Sequence, residues 1–287
     1  MVATTARGTE GPLDRDDTRP LILRGPRPPG KLGPVHWRGI AALLHRHLRT
    51  FFKFWLMTIV GPGLAILLYL TIFVLALGPA RQLDEGAALL PFLGPGLVML
   101  ALMQRAAETS TYSMMLAKIE GSISDILMSP LSPGELTAGY GLSGMICGLL
   151  GAAPVALVIL PLTGAGIASP FAALAVAALG ALALALVGTL VGMWAKKWDQ
   201  VAAIFAFIVV PLAFLSGVFA PVTALPGWLA TAMVFNPIFH IIHGFREAAT
   251  TGMTPDVVSA LLVLSAVNVA LTIFLYSLFR TGWSLRN

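Results

Sequence analysis

Long apolar runs separated by short polar clusters set the pattern from residue 54 onward. A spanning helix needs roughly 20 mostly apolar residues, because each rises ~1.5 Å across a hydrocarbon core about 30 Å thick. The charge-free run Phe54–Ala80 predicts a first span at 56–77, followed by a loop, Gly78–Leu90, that carries Arg81, Asp84 and Glu85. A second run extends from Pro91 to Met115, interrupted by Arg105 and Glu108. Residues 136–195 hold no charged side chain and suit a hairpin of two spans, broken at Pro161–Pro170 and closed by Lys196, Lys197 and Asp199. Gln200–Phe245 also lacks Asp, Glu, Lys and Arg, but Pro221, Pro226, Asn236, Pro237, His240 and His243 crowd its second half. Proline in a helix interior removes a hydrogen bond, and broken backbone at membrane depth survives only inside protein or along a wet cavity. A fifth span at 201–219 is therefore expected, then a re-entrant pair of short helices dipping in from the outer side. Val257–Phe279 gives a sixth span, followed by Arg280 and Arg286. The fold class is an all-α membrane protein: six transmembrane helices, an N-terminal amphipathic interfacial helix, and a re-entrant helical element between spans five and six.

The segment before the first span differs in kind. In His36–Trp55, helical spacing gathers Trp37, Ile40, Leu44, Leu48, Phe51 and Trp55 on one arc, with Arg38, Arg46, Arg49 and Lys53 opposite. That pattern suits a helix in the cytoplasmic headgroup layer, as a topogenic anchor or a partner surface. Residues 1–35, with six prolines, charges of both signs and no apolar stretch, read as a disordered cytoplasmic tail without a signal peptide. The domain order is then tail (1–35), interfacial helix (36–55), six-span domain (56–280) and a second cytoplasmic tail (281–287).

Composition sharpens this picture. Of 287 residues, 57% are hydrophobic and 11% charged, where a soluble domain has about a quarter charged. Ten basic and four acidic side chains fall in residues 1–55, against eight and nine in all the rest. A water-soluble enzyme and a nucleic-acid binder are excluded. Six crossings place both termini in the cytoplasm together with Lys118, Lys196, Lys197, Arg280 and Arg286, leaving Arg81 and Arg246 outside, in accord with the positive-inside rule. The single cysteine, Cys147, lies in an apolar run and allows no intrachain disulfide.

Three polar features stand out. The connector Lys118–Glu135 repeats Ile119, Ile123, Ile126 and Leu127 at helical spacing before Pro130 and Pro133, so an amphipathic helix there either docks on a partner or folds back. The stretch Phe214–Trp228, followed by Asn236-Pro237, His240 and Arg246, forms the re-entrant element, with Phe219 and Trp228 suited to an aromatic belt. Arg105 and Glu108 share a helical face near mid-span and are expected to neutralise each other, as a structural ion pair or a polar patch on a cargo route. Replacing Arg105 alone is expected to do more damage than replacing both.

These residues resemble the permease subunits of bacterial ABC-2 type exporters, the family that includes polysaccharide, nodulation-factor and drug exporters. The resemblance spans residues 36–280 by layout and concentrates in Lys118-Ile-Glu-Gly…Ser-Pro-Leu-Ser-Pro-Gly-Glu135-Leu and in Phe214-Leu-Ser-Gly-Val-Phe-x-Pro…Leu-Pro-x-Trp…Asn-Pro…His…Arg246. It implies a subunit of the bacterial inner membrane that dimerises with a second copy and pairs with separate ABC ATP-binding subunits. ATP-driven coupling would run through Lys118, Ile119, Glu120, Gly121, Ile123, Asp125, Leu127, Pro130, Leu131, Pro133 and Glu135. An outer gate would involve Phe214, Gly217, Phe219, Pro221, Leu225, Pro226, Trp228, Asn236, Pro237, His240 and Arg246. No role is implied for Arg105 and Glu108, and none for a particular cargo beyond an amphipathic drug, lipid or glycan.

The chain itself offers no phosphate loop: Gly25-Pro-Arg-Pro-Pro-Gly-Lys31 lacks backbone donors at its prolines and has Leu32 where Ser or Thr should meet magnesium. ATP and magnesium are thus expected on the partner subunit, and no cofactor on this chain. Two other classes compete. Gly141-Leu-Ser143-Gly144 resembles the motif of rhomboid intramembrane proteases, with His240 or His243 as base. An ion-coupled carrier would use Glu108. Gly144/Gly148 and Gly188/Gly192 read better as small-xxx-small helix contacts, and the two histidines lack a third metal ligand.

Overall fold

The computed structural model describes residues 37–78, 88–121, 131–222 and 225–281. The N-terminal tail, Arg81 with its loop, the connector residues Ile123, Asp125, Leu127 and Pro130, and the C-terminal tail lie outside the described residues. Among the described residues every regular element is a helix. α1 (Trp37–Lys53) passes through a π turn, Leu56–Val60, into α2 (Gly61–Leu77). α3 (Leu89–Ile119), α4 (Pro133–Thr163) and α5 (Pro170–Trp194) follow, then α6 (Trp198–Val218), itself interrupted by π turns at Phe205–Val209 and Phe214–Val218. Two short helices, α7 (Gly227–Val234) and α8 (Pro237–Thr250), precede α9 (Pro255–Thr281). Among the described residues, six helices (α2, α3, α4, α5, α6 and α9) are each long and apolar enough to cross a membrane.

α3 is the axis of the bundle: 72% of its most apolar window is buried, against 11% for the first span and 22% for α6 and for α9. Apolar side chains gain little by leaving lipid for protein, so close backbone approach and hydrogen bonds hold spans together. Both small-residue pairs serve that approach, and both face α3. A Cβ on Gly148 would lie 2.8 Å from that of Ala106, and one on Gly192 would lie 2.7 Å from that of Met114. The Thr111 hydroxyl lies 2.8 Å from both the Ala107 and Gly188 carbonyls, and Asn268 of α9 donates to Leu179 of α5 at 2.9 Å. Such interhelical bonds contribute about 0.6 kcal/mol each on average.

One helix boundary differs from expectation. α4 runs through Pro161 and ends at Gly164, whose φ of +70° closes the helix with Ala165 N–H on Leu160 O (3.0 Å) and Gly164 N–H on Pro161 O (3.2 Å), a Schellman pair. The turn residue, not the proline, sets the end. On α1, Ile40, Leu43, His47 and Phe51 are buried, while Trp37 and Trp55 of the expected apolar arc are exposed. α4 selects that face, because Gly139 leaves room for Leu43, whose Cδ1 would stand 2.7 Å from a Cβ there.

Candidate coupling and gating sites

At one end of α3 the described parts of the connector are tied into the bundle. The Lys118 ammonium donates to the carbonyls of Met193 and, at 3.0 Å, Ala195, at the C-terminus of α5, where a cation also meets the negative end of the helix dipole. Ser132 and Glu135 form a reciprocal capping box that starts α4, with Ser132 N–H on the Glu135 carboxylate at 2.6 Å and Glu135 N–H on the Ser132 hydroxyl at 3.3 Å. Pro133 fills the first turn of the same helix, where its missing N–H costs nothing. Leu131 packs on Gly39 of α1, its Cγ 3.3 Å from where a glycine Cβ would sit. Gly121 takes a positive φ of +70° just past α3, and Ile119 and Glu120 are exposed there. Lys118, Leu131, Pro133 and Glu135 thus join the connector to α5, α1 and α4.

At the opposite end, α7 and α8 meet at an 85° bend around Asn236. Asn236 caps α8 by accepting from Ile238 N–H at 3.1 Å, and its amide donates to the Ser216 hydroxyl at 2.6 Å. Ser216 in turn donates to Leu212 O at 2.6 Å inside α6. Pro237 occupies the first turn of α8. Gly217 adopts φ +97°, a conformation only glycine takes without strain, where α6 breaks out of helical geometry. Arg246, buried on α8, is the clasp: Nη2 donates to Gly217 O at 2.6 Å, Nε donates to Phe92 O at 3.2 Å, and the guanidinium lies 3.7 Å over the Phe92 ring. It joins α3, α6 and α8. The residue that the sequence reading assigns to the outer side and the outer gate is a buried group on α8.

Phe219 packs among aromatic rings of the first span and of α6. It stacks on Phe73 at 4.4 Å and meets Tyr69 and Phe214 edge-on at 5.9 and 4.7 Å, so the end of α6 is fastened to the first span. Trp228 is 75% exposed. A cavity of about 730 Å³ opens beside this clasp, lined by Gly217, Pro221, Phe235, His243 and Arg246 among others. His240 hydrogen-bonds Val234 O at 2.8 Å, while Leu225 N–H reaches Val222 O at 3.0 Å just before Pro226 and α7. α8 also ends on the α4–α5 turn, where Ala168 and Ser169 N–H reach the Ala249 and Ala248 carbonyls at 2.8 and 3.0 Å.

Arg105 and Glu108 form an ion pair on α3. The arginine side chain is 14% exposed and the carboxylate 45%. Both border a second cavity of about 360 Å³ between α3 and the α1–α2 joint. Ser143 is fully buried on α4, and α8, which carries both histidines, is not among the principal packing neighbours of α4. The protease arrangement is not assembled.

Sequence reasoning missed Ser216 and Phe92, which signal nothing by type, and His47. The His47 ring is buried against Tyr140 at 5.7 Å, edge to face, and Nδ1 lies 2.7 Å from Leu43 O. Burial, reinforced by the neighbouring Arg46 charge and only partly offset by the Leu43 carbonyl, pushes its pKa down to about 4.

Comparison with known proteins agrees with this architecture. The chain is 28% identical over 254 residues to the inner membrane transport permease YadH of Escherichia coli K12, covering 88% of this chain and 99% of the relative. The Shigella flexneri protein of the same name matches to the same extent. The model of the ABC-2 type transporter family matches residues 38–249. A six-span all-α bundle with that match is a multi-pass inner-membrane subunit of an ABC transport system, which works with an ATP-binding partner, and the chain belongs to the ABC-2 type transporter family.

Proposed function

We propose that the chain is the permease of an ATP-driven exporter, acting as a dimer in which two copies line one export path and each engages a separate ATP-binding subunit. ATP and magnesium belong to that subunit, and this chain performs no covalent chemistry. α1 lies in the cytoplasmic headgroup layer with both termini on the same side, as the basic residues favour. The residues between Ile119 and Leu131 receive the push. The observation that carries this reading is the anchorage of the connector: Lys118 on the end of α5, Leu131 on α1, and the capping box at the start of α4. A load applied between those anchors enters three helices at once. α3 is about 46 Å long at ~1.5 Å per residue, so it carries that load past the ion pair to Phe92, where Arg246 clasps it to α6 and α8. Opening this clasp is the outer gate, and the cargo is amphipathic.

The test is co-purification of the full chain with its ATP-binding subunit from detergent. An Ile123→Glu, Leu127→Glu variant should lose the partner while keeping its own elution profile. Undiminished association would remove the connector from the coupling role.

A further inference from the structure

The cavity between α3 and the α1–α2 joint holds chemistry that the outer clasp does not use, and of its lining only Glu120 belongs to the expected coupling set. Arg46 and His47 reach it from α1, Thr58 from the π turn, and Arg105, Glu108, Thr109 and Glu120 from α3. Its charges balance, two arginines against two carboxylates, because His47 is neutral near pH 7. Its donors and acceptors do not balance. The Thr50, Thr58 and Thr109 hydroxyls donate to helix carbonyls at 2.8–3.1 Å, so their oxygens offer only lone pairs. His47 directs Nδ1 at the Leu43 carbonyl, which fixes the proton there and makes Nε2 an acceptor. That Nε2 is buried without a hydrogen-bond partner, and so is the Nε–H of Arg105. Buried groups of this kind are ordinarily satisfied by protein, water or ligand. Arg46, on the cavity rim, reaches the Ser113 hydroxyl at 3.4 Å, and no carboxylate pairs with it among the described residues. The remaining wall is apolar and open on one side, where Phe54 and Met57 are exposed on a helix joint that leads into the first span.

A matching ligand must bring an anionic oxygen for the arginines, N–H donors for the surplus acceptors, and an apolar tail. A primary ammonium satisfies the donor requirement; a quaternary ammonium, without N–H, does not. A glycerol headgroup brings no cation for the carboxylates. We propose that this cavity binds the headgroup of an aminophospholipid, its phosphodiester at the arginine side chains, its ammonium at the carboxylate and hydroxyl oxygens, and its chains leaving past Phe54 and Met57. The proposal rests on α1 lying in the headgroup layer, as read above. Its volume, about 360 Å³, falls within the range of small-ligand sites, roughly 300–1,000 Å³.

Native mass spectrometry of the full chain in detergent tests it, with dioctanoyl phosphatidylethanolamine, phosphatidylcholine and phosphatidylglycerol offered in equal amounts. One phosphatidylethanolamine per chain should be retained at least about tenfold over the other two, a ratio that corresponds to 1.4 kcal/mol. Free phosphoethanolamine at the same concentration should not displace it. Arg46→Ala and Glu120→Gln, both on exposed side chains, should each erode the preference while the protein still elutes as one species. Equal retention of the three lipids, displacement by the soluble headgroup, or a preference untouched by both variants would overturn the proposal. Loss of the lipid preference with partner association still dependent on the connector defeats this inference alone. Partner association indifferent to the connector defeats the coupling reading instead.

Discussion

Glu108→Ala is expected to be more damaging than Arg105→Ala, and the double change close to the arginine variant. The asymmetry comes from exposure. Both border the same cavity, but Arg105 is 14% exposed and near mid-span, whereas Glu108 is 45% exposed. Removing Glu108 strands a buried cation whose Nε already lacks a partner. Breaking a buried pair in this way costs about 3–5 kcal/mol, and an arginine at mid-membrane costs roughly 2.5–3.5 kcal/mol on insertion scales, so about 3 kcal/mol is expected. Removing Arg105 leaves a carboxylate that can turn to the cavity, and forfeits mainly the packing of its stem over Gly151, for about 1 kcal/mol. At roughly 2–4 °C per kcal/mol for a chain of this size, Glu108→Ala should melt ~6–12 °C below wild type in detergent and Arg105→Ala within a few degrees. Thermal melts followed by size-exclusion give both values. The sequence alone predicts that losing Arg105 costs more than losing both residues; the exposures add that Glu108 is the partner whose loss strands a buried charge. If the two single variants melt together, or the double variant shows their sum, the charges are not coupled and the reasoning fails.

Four further outcomes are expected. Gly148→Leu should push α4 off Ala106 of α3, destabilising by ~1–3 kcal/mol or more and lowering the yield of monodisperse protein. Gly166→Ala, with nothing within 4 Å, should change little. The melting temperature should fall as pH drops from about 6.5 to about 4. The depressed His47 pKa means that the unfolded chain binds the extra proton first, so its contribution is complete above pH 6.5 and is lost on acidification, to roughly 3 kcal/mol at full titration. His47→Phe should flatten that part of the pH profile, and an unchanged profile would rule the histidine out. Asn236→Ala should lose a cap of about 1 kcal/mol together with the Ser216 bond. Asn236→Ser keeps the cap alone, so hydrogen exchange should still rise around Leu212–Gly217 but not at Ile238–His240.

The six spans were legible because a charge-free window of twenty residues has few other uses, and the polar clusters between them fell close to the observed ends. Locations chosen by neighbouring helices were not. The buried face of α1 turned toward Leu43 and His47 because Gly139 of α4 receives it there, and periodicity within α1 holds no trace of Gly139. Arg246 drew notice as a lone cation after 46 residues free of Asp, Glu, Lys and Arg. Its partners are two backbone carbonyls and one ring, and no residue type advertises a carbonyl. The outer element was legible as broken backbone from its prolines, but its bend is organised by Asn236 and Ser216, twenty residues apart.

The passage from α1 into the first span has no slack in it. A single turn residue, Phe54, separates the two, and the Thr58 hydroxyl reaches back over it to the Phe51 and Phe54 carbonyls at 3.1 and 3.0 Å. With Leu131 seated on Gly39 near the far tip of α1, the helix is gripped at one extremity and welded at the other. On the proposed coupling, a displacement of the connector exit that moves Gly39 is expected to swing the first span, whose Phe73 is stacked on Phe219 at the opposite rim.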